Sequence, residues 1–122
     1  MNNLIFGIII LIHFLADFSL QTNQQAQQKS ISTNALFNHV GIYTTVWFLA
    51  LIAINEIINF SLFDCLIFCL ITFVAHSTTD YFTSRIGKPY WEEHDYHNGF
   101  TVVGFDQMLH FFQLYYTFKL LL

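Results

Sequence analysis

An all-α bundle of about four membrane-spanning helices is the fold this sequence predicts, and three observations predict it. Of its 122 residues, 55% are hydrophobic and only 10% are charged, a balance too apolar for a soluble domain. Four apolar stretches recur along the chain, each close to the roughly 20 residues that cross the hydrocarbon of a bilayer. Each stretch also carries ionisable residues, which in lipid normally face a bundle interior. A single Pro and little linker sequence leave one integral membrane domain, residues 1–122, as the expected organisation.

The first stretch runs from Leu4 to Leu20. No Lys or Arg precedes it, no small-residue cleavage site follows it, and it contains His13 and Asp17, so it reads as a retained helix rather than a signal peptide. Gln21 to Asn34, rich in Gln, Ser, Thr and Asn, is a polar loop that can begin as an extension of that helix. The second stretch, Ala35 to Ile54, is followed by the short turn Asn55 to Ser61, which makes it an antiparallel neighbour of the third, Leu62 to Phe82. Arg85 to Gly99 holds most of the charge together with Gly87, Pro89 and Gly99, and is predicted as the largest non-helical segment. Its Tyr90, Trp91 and Tyr96 suit the headgroup region, where amphipathic rings settle. The fourth stretch runs from Thr101 to Leu122.

Orientation rests on few charges. Lys29, Arg85 and Lys88 lie in the first and third loops, whereas the middle loop has Glu56 and no cation. The positive-inside tendency places loops one and three in the cytoplasm and both termini outside, with Lys119 running against that assignment. Four Lys and Arg against eight Asp and Glu give a net charge of -4, which leaves no basic surface to hold nucleic acid by counterion release.

The chemistry lies in the spacing of His and Asp. Residues at i and i+4 share a helical face, about 6 Å apart between side-chain bases, so His13 with Asp17 and His76 with Asp80 can each aim two ligands at one point. Asp106 and His110 form the same pair in reverse order, and His39 adds an imidazole early in the second helix. The two HxxxD pairs, each followed by an aromatic, also form a weak internal repeat suggestive of parallel two-helix halves. Because successive helices reverse direction, late positions on odd helices and early positions on even helices fall at the same face. All seven residues are therefore expected to meet beside loops one and three.

Imidazole and carboxylate without thiolate suit Zn²⁺, Mn²⁺ or Fe²⁺, and three Asp with four His suffice for one or two ions. A plainer reading stands beside this one, in which His and Asp hydrogen-bond across helices as internal struts worth about 0.6 kcal/mol per contact. Gln21 and Gln107 are candidate supporting or substrate contacts, or simply polar loop and interface residues. His94 and His97 belong to an acidic segment that either closes over the site or forms a solvated turn. Cys65 and Cys69 lie about 16 and about 10 Å from His76 along a helix, too far to join the cluster, and read as small hydrophobes.

HFLADFSLQ at 13–21, His39 followed by Tyr43, HSTTD at 76–80 and FDQMLH at 105–110 together resemble a domain-of-unknown-function family of small bacterial and phage membrane proteins. That family's pattern runs HxxxDFxLQ, H, HxxxD, DQxxH over nearly the whole chain. The resemblance implies a bacterial inner membrane, or a host membrane during phage infection, and carries no activity with it. Arg85 stands where many relatives have Lys. A more distant likeness, in motif style alone, is to membrane-bound metal-dependent hydrolases.

The leading expectation is a membrane-embedded, metal-dependent hydrolase acting near the cytoplasmic face on a lipid-like or headgroup-bearing substrate. His13, Asp17, His76, Asp80, Asp106 and His110 are its expected metal ligands. Asp106 is also the candidate general base, and His39 a catalytic acid or a further ligand. Membrane lipid is the expected partner. Two alternatives stand open: a small proton- or ion-coupled transporter that would need homo-oligomers to line a path, and a non-catalytic membrane effector.

Overall fold

The computed structural model describes residues 3–121. They form α1 (Asn3–Phe14), a π-helical turn (Leu15–Ser19), α2 (Asn23–Gln28), α3 (Thr33–Ala53), α4 (Asn55–Ile58), α5 (Leu62–Glu92) and α6 (Tyr96–Leu121). The chain is all-helical through these residues, and the starts of α2, α3 and α5 each have a local cause. Thr22 and Gln25 close a reciprocal capping box on α2, Ser32 accepts the Ala35 N–H of α3, and Ser61 with Asp64 closes a second box on α5. Such caps satisfy amide groups that the first helical turn leaves unpaired. Asn59 turns the chain between α4 and α5 at φ 54°, a left-handed conformation that Asn adopts more readily than most residues.

Pairs of touching residues give the topology. His39 meets His76 while Trp47 meets Phe68, so α3 and α5 run antiparallel, as the short turn between them requires. Phe68 meets Phe118 at one end of the next pair and Trp91 covers Gly99 at the other, so α5 and α6 are antiparallel too. α1 lies against α3 and α6.

Arg85 to Gly99 departs from expectation. α5 continues through Gly87 and Pro89 to Glu92, and only Glu93 to Asp95 separates it from α6. Gly87 is buried where a Cβ would stand 3.4 Å from Val102, and a Cβ on Gly99 would stand 3.0 Å from the Trp91 ring. Both glycines thus serve close helix packing, and that tertiary contact overrides their weak helix propensity. His94 and His97 are exposed on and beside this turn, which is the solvated alternative.

Two helices, Thr33–Ala53 and Leu62–Glu92, are long and apolar enough to cross a membrane, and Asn3–Ser19 is a shorter apolar helix. α6 has the length, but His97, Asp106, Gln107, His110, Gln113 and Lys119 lower its hydropathy, so two of the four expected spans meet the criterion of length and composition. The bundle is polar inside at one end and apolar outside. His76 and Asp80 are fully buried, while Phe63 and Leu120 are 70% and 74% exposed. The other end holds an apolar core in which Trp47, Phe68 and Phe118 stack with Leu51, Cys65 and Leu114.

Candidate metal centre

The inward stripe of α5 runs Cys65, Phe68, Thr72, His76, Asp80, Thr83, Gly87, a run of three- and four-residue steps that keeps one helical face toward the interior. His76 and Asp80 are therefore inward because of their register, and the same holds for His39 and Tyr43 on α3 and for Asp106 and His110 on α6. α1 reaches the cluster differently. Its last turn widens into the π-helical Leu15–Ser19, and Ala16 and Asp17 are the buried residues of that turn. Such turns recur at functional sites.

Three ligand atoms, one each from the π-helical turn, α3 and α5, converge, and Asp80 Oδ2 lies beside them. His39 Nε2 lies 3.1 Å from Asp17 Oδ1, 3.4 Å from Asp80 Oδ2 and 3.3 Å from His76 Nε2. His76 Nε2 lies 3.5 Å from Asp17 Oδ1 and 3.6 Å from Asp80 Oδ2. A tetrahedral ion with arms of about 2.0–2.1 Å needs ligand atoms about 3.3–3.4 Å apart, and the three separations among Asp17 Oδ1, His39 Nε2 and His76 Nε2 bracket that spacing. His76 strengthens the fit. It is fully buried, its Nδ1 has no hydrogen-bond partner among the described residues, and its Nε2 faces another imidazole nitrogen and two carboxylates beyond good hydrogen-bond range. A buried imidazole so placed is poorly served by hydrogen bonds and well placed to ligate.

Asp17, His39 and His76 can hold a metal ion, as can the overlapping groups His76, Asp80, His110 and Asp17, Asp106, His110. His110 Nε2 is 3.2 Å from both Asp80 Oδ1 and Asp106 Oδ2. The His76 and His110 rings stack at 4.0 Å, with Tyr43 at 4.0 Å on the other face of His76.

All seven sequence-predicted residues thus come together, in unequal roles. His13 stands one step back: Nδ1 is paired with the Tyr43 hydroxyl and Nε2 with Gln107 Oε1, each at 2.8 Å, and it belongs to none of the three ligand groups. Gln107 donates to Asp17 Oδ2 at 2.8 Å and to Asp106 Oδ2 at 3.2 Å. Gln21 pairs with His39 Nδ1 at 3.2 Å. The Gln21 amide nitrogen donates to Nδ1, a contact that fixes the orientation of the His39 ring beside the cluster. Thr83 donates to Asp106 Oδ1.

The residue that pattern reading missed is Lys29. From the residue after α2 its ammonium reaches 2.9 Å from Asp80 Oδ2. Burial opposes its charge, but Asp80, Asp17 and Asp106 outweigh burial and hold its pKa above the ordinary lysine value. The only sequence signal for it was charge accounting: three buried Asp face very few cations.

The profile of a family described as protein of unknown function (DUF3307) matches residues 5–121. The chain belongs to that family. No curated protein and no solved structure matches it. The DUF3307 match covers every residue of the His/Asp cluster, from His13 to His110, and leaves their chemistry to be argued from geometry.

Proposed function

We propose that this protein is a four-span membrane hydrolase dependent on one divalent transition-metal ion, with Zn²⁺, Mn²⁺ and Fe²⁺ the candidates. The observation that carries the reading is the convergence of His39 Nε2, His76 Nε2 and Asp17 Oδ1 at tetrahedral spacing in a fully buried setting. Two imidazoles and one carboxylate leave a fourth position open, as catalytic zinc sites do. Charge favours one ion. With the four imidazoles neutral, Asp17, Asp80 and Asp106 carry three negative charges and Lys29 one positive, so the residual of two is what one divalent cation neutralises, and uncompensated charge is costly at this depth.

Four spans are supported by the outward apolar faces of α1 and α6, with Leu4, Leu11 and Phe14 on one and Phe112, Tyr116 and Leu120 on the other. Lys29, Arg85 and Lys88 favour the cluster's end of the bundle as the cytoplasmic one.

A bound ion of this kind lowers the pKa of its water from 15.7 to near 7. The protein's own groups do the rest. Asp106 lines the cleft beside the centre, with an oxygen within 4.8 Å of an Asp17 ligand atom, and accepts the proton of the attacking water. Thr83, Gln107 and His110 orient its carboxylate. Lys29 pairs with Asp80, and Asp80 steadies His110 and the imidazole pair.

The test is turnover of labelled phospholipids and isoprenoid phosphates by protein in detergent. Hydrolysis that chelator abolishes and Asp106→Asn removes without lowering metal content supports the reading. A second reading, proton-coupled transport, is favoured by the continuous hydrogen-bond chain Tyr43, His13, Gln107, Asp17, because such chains relay protons. Proton-driven flux in proteoliposomes without turnover would select it. Neither turnover nor flux would leave the membrane effector.

A further inference from the structure

A cleft of about 720 Å³ adjoins the cluster, within the roughly 300–1,000 Å³ of small-molecule sites. Its two ends differ in chemistry. The buried end is polar, with Asp17, Thr83 and Asp106 on the wall and the Lys29 ammonium beside them. The exposed end is apolar, where Phe18, Ile31 and Trp91 are 46%, 64% and 37% exposed and Val102 completes the surface. Lys88 lines the cleft between the two ends, following Thr83 and preceding Trp91 along α5, 3.5 Å from Glu92 and 42% exposed.

The apolar end is built rather than incidental. The Trp91 ring rests on Gly99, where any Cβ would be 3.0 Å from ring atoms, and its Nε1 lies over Gly87. Phe100 closes the ring edge-on at 5.2 Å. Two helical glycines are therefore spent on seating one indole against the cleft.

We propose that this cleft binds one amphiphile, an apolar chain ending in a phosphate ester, headgroup toward the buried end and chain along Trp91, Val102 and Ile31. This deepens the hydrolase reading and rests on its metal centre. With one divalent ion and Lys29, the three aspartates are already balanced, so a phosphate brings negative charge that needs another cation. Lys88 is the cation on the same cleft whose one ion pair among the described residues is an exposed one, and such pairs are readily exchanged. Without the ion, Asp17 and Asp106 repel a phosphate. Binding is therefore coupled to metal, and a cationic headgroup should show the opposite preference.

Trp91 provides a readout that does not require turnover. The chain has two Trp, and in a Trp47→Phe background Trp91 alone reports. Zinc-loaded protein in detergent is titrated with amphiphiles carrying the same brominated chain and either a phosphate, an alcohol or a trimethylammonium head. The expected result is saturable quenching by the phosphate alone, lost on chelation and weakened about tenfold by Lys88→Gln, the size expected for one charge-assisted contact. Inorganic phosphate should compete only weakly, because it lacks the chain; if it competes as strongly as the amphiphile, the cleft is a phosphate site without chain recognition and the proposal fails. Equal quenching by the alcohol or the trimethylammonium compound also overturns it, as does an unchanged Lys88→Gln. Should Trp47→Phe not fold, equilibrium dialysis of radiolabelled alkyl phosphate against wild type and Lys88→Gln makes the same comparison. Metal content measured on the same samples separates the two failures: one ion per chain with head-independent quenching sinks the amphiphile proposal and leaves the metal centre standing, whereas no ion sinks the centre itself.

Discussion

The two ends of this bundle share their helices and the same inward stripes, yet they are held together by different forces. On α3 the stripe passes from His39 through Tyr43 to Trp47 and Leu51, on α5 from Asp80 and His76 through Thr72 to Phe68, and on α6 from Asp106 and His110 to Leu114 and Phe118. The change occurs at one layer, where Gln113 donates to Thr72 and Thr117. Below it, rings at 4.9–5.2 Å make an apolar core that depends on fit and dispersion. Above it, three carboxylates, four imidazoles and one ammonium form a hydrogen-bonded network that could hold a metal ion. Helical register decides what faces inward, and residue identity decides whether the interior needs an ion.

The most severe expected change is Asp80→Ala. It strands the Lys29 ammonium and removes a partner of His39 and His110, and breaking such a buried pair costs about 3–5 kcal/mol. In metal-loaded protein the loss grows by about 2.7 kcal/mol when the ion is held at 100 times its Kd. Thermal unfolding in detergent, with and without metal, reads both parts. Phe68→Ala should cost about 3–5 kcal/mol as a cavity in the apolar end, and metal content should stay unchanged. A fall in metal content would show that the two ends are not separable.

Lys29→Met is a smaller change with a sharper signature. Metal-free protein should lose about 1.5–3 kcal/mol, the worth of a charged hydrogen bond. With the ammonium gone the carboxylate excess rises, and His110, whose Nε2 lies 3.2 Å from both the Asp80 and the Asp106 carboxylate, is the expected anchor of a second ion, so metal analysis should show two ions per chain where one is expected in wild type. Unchanged stoichiometry would break the charge argument.

Asp95→Ala, which touches neither end, should lower Tm least. Its carboxylate accepts the Asn98 side chain and backbone N–H, and these bonds hold its pKa below the ordinary carboxylate value. A group depressed in this way contributes above its unfolded pKa, near 4, and the contribution is lost as pH falls through the folded value. The difference between wild type and Asp95→Ala should therefore be constant at neutral pH and vanish in acid.

Much of this was legible in the sequence, and the misses have physical causes. Helix positions were readable because apolar runs of membrane length are a strong signal, and the seven cluster residues because i, i+4 pairs and alternating helix direction place them at one end. The continuation of α5 to Glu92 was not, because Gly87 and Pro89 look locally like breakers while the contact with α6 that outweighs them is long-range. The π-helical turn at Leu15–Ser19 has no pattern of its own. Lys29 was hidden because a long side chain on a short polar segment can reach many partners, and no periodicity selects Asp80. His13 was grouped with the ligands because spacing places it on the right face, but spacing does not reveal that Tyr43 and Gln107 occupy both its nitrogens.

The central claim is that the polar end is completed by one divalent ion on His39, His76 and Asp17. Its most direct test is metal content after incubation of detergent-purified protein with Zn²⁺, Mn²⁺ or Fe²⁺ and removal of unbound ion, in wild type and in His39→Gln/His76→Gln, with helicity followed by circular dichroism. The account predicts one ion per chain in wild type and none in the double variant at unchanged helicity. A folded wild-type protein that retains no ion would contradict it.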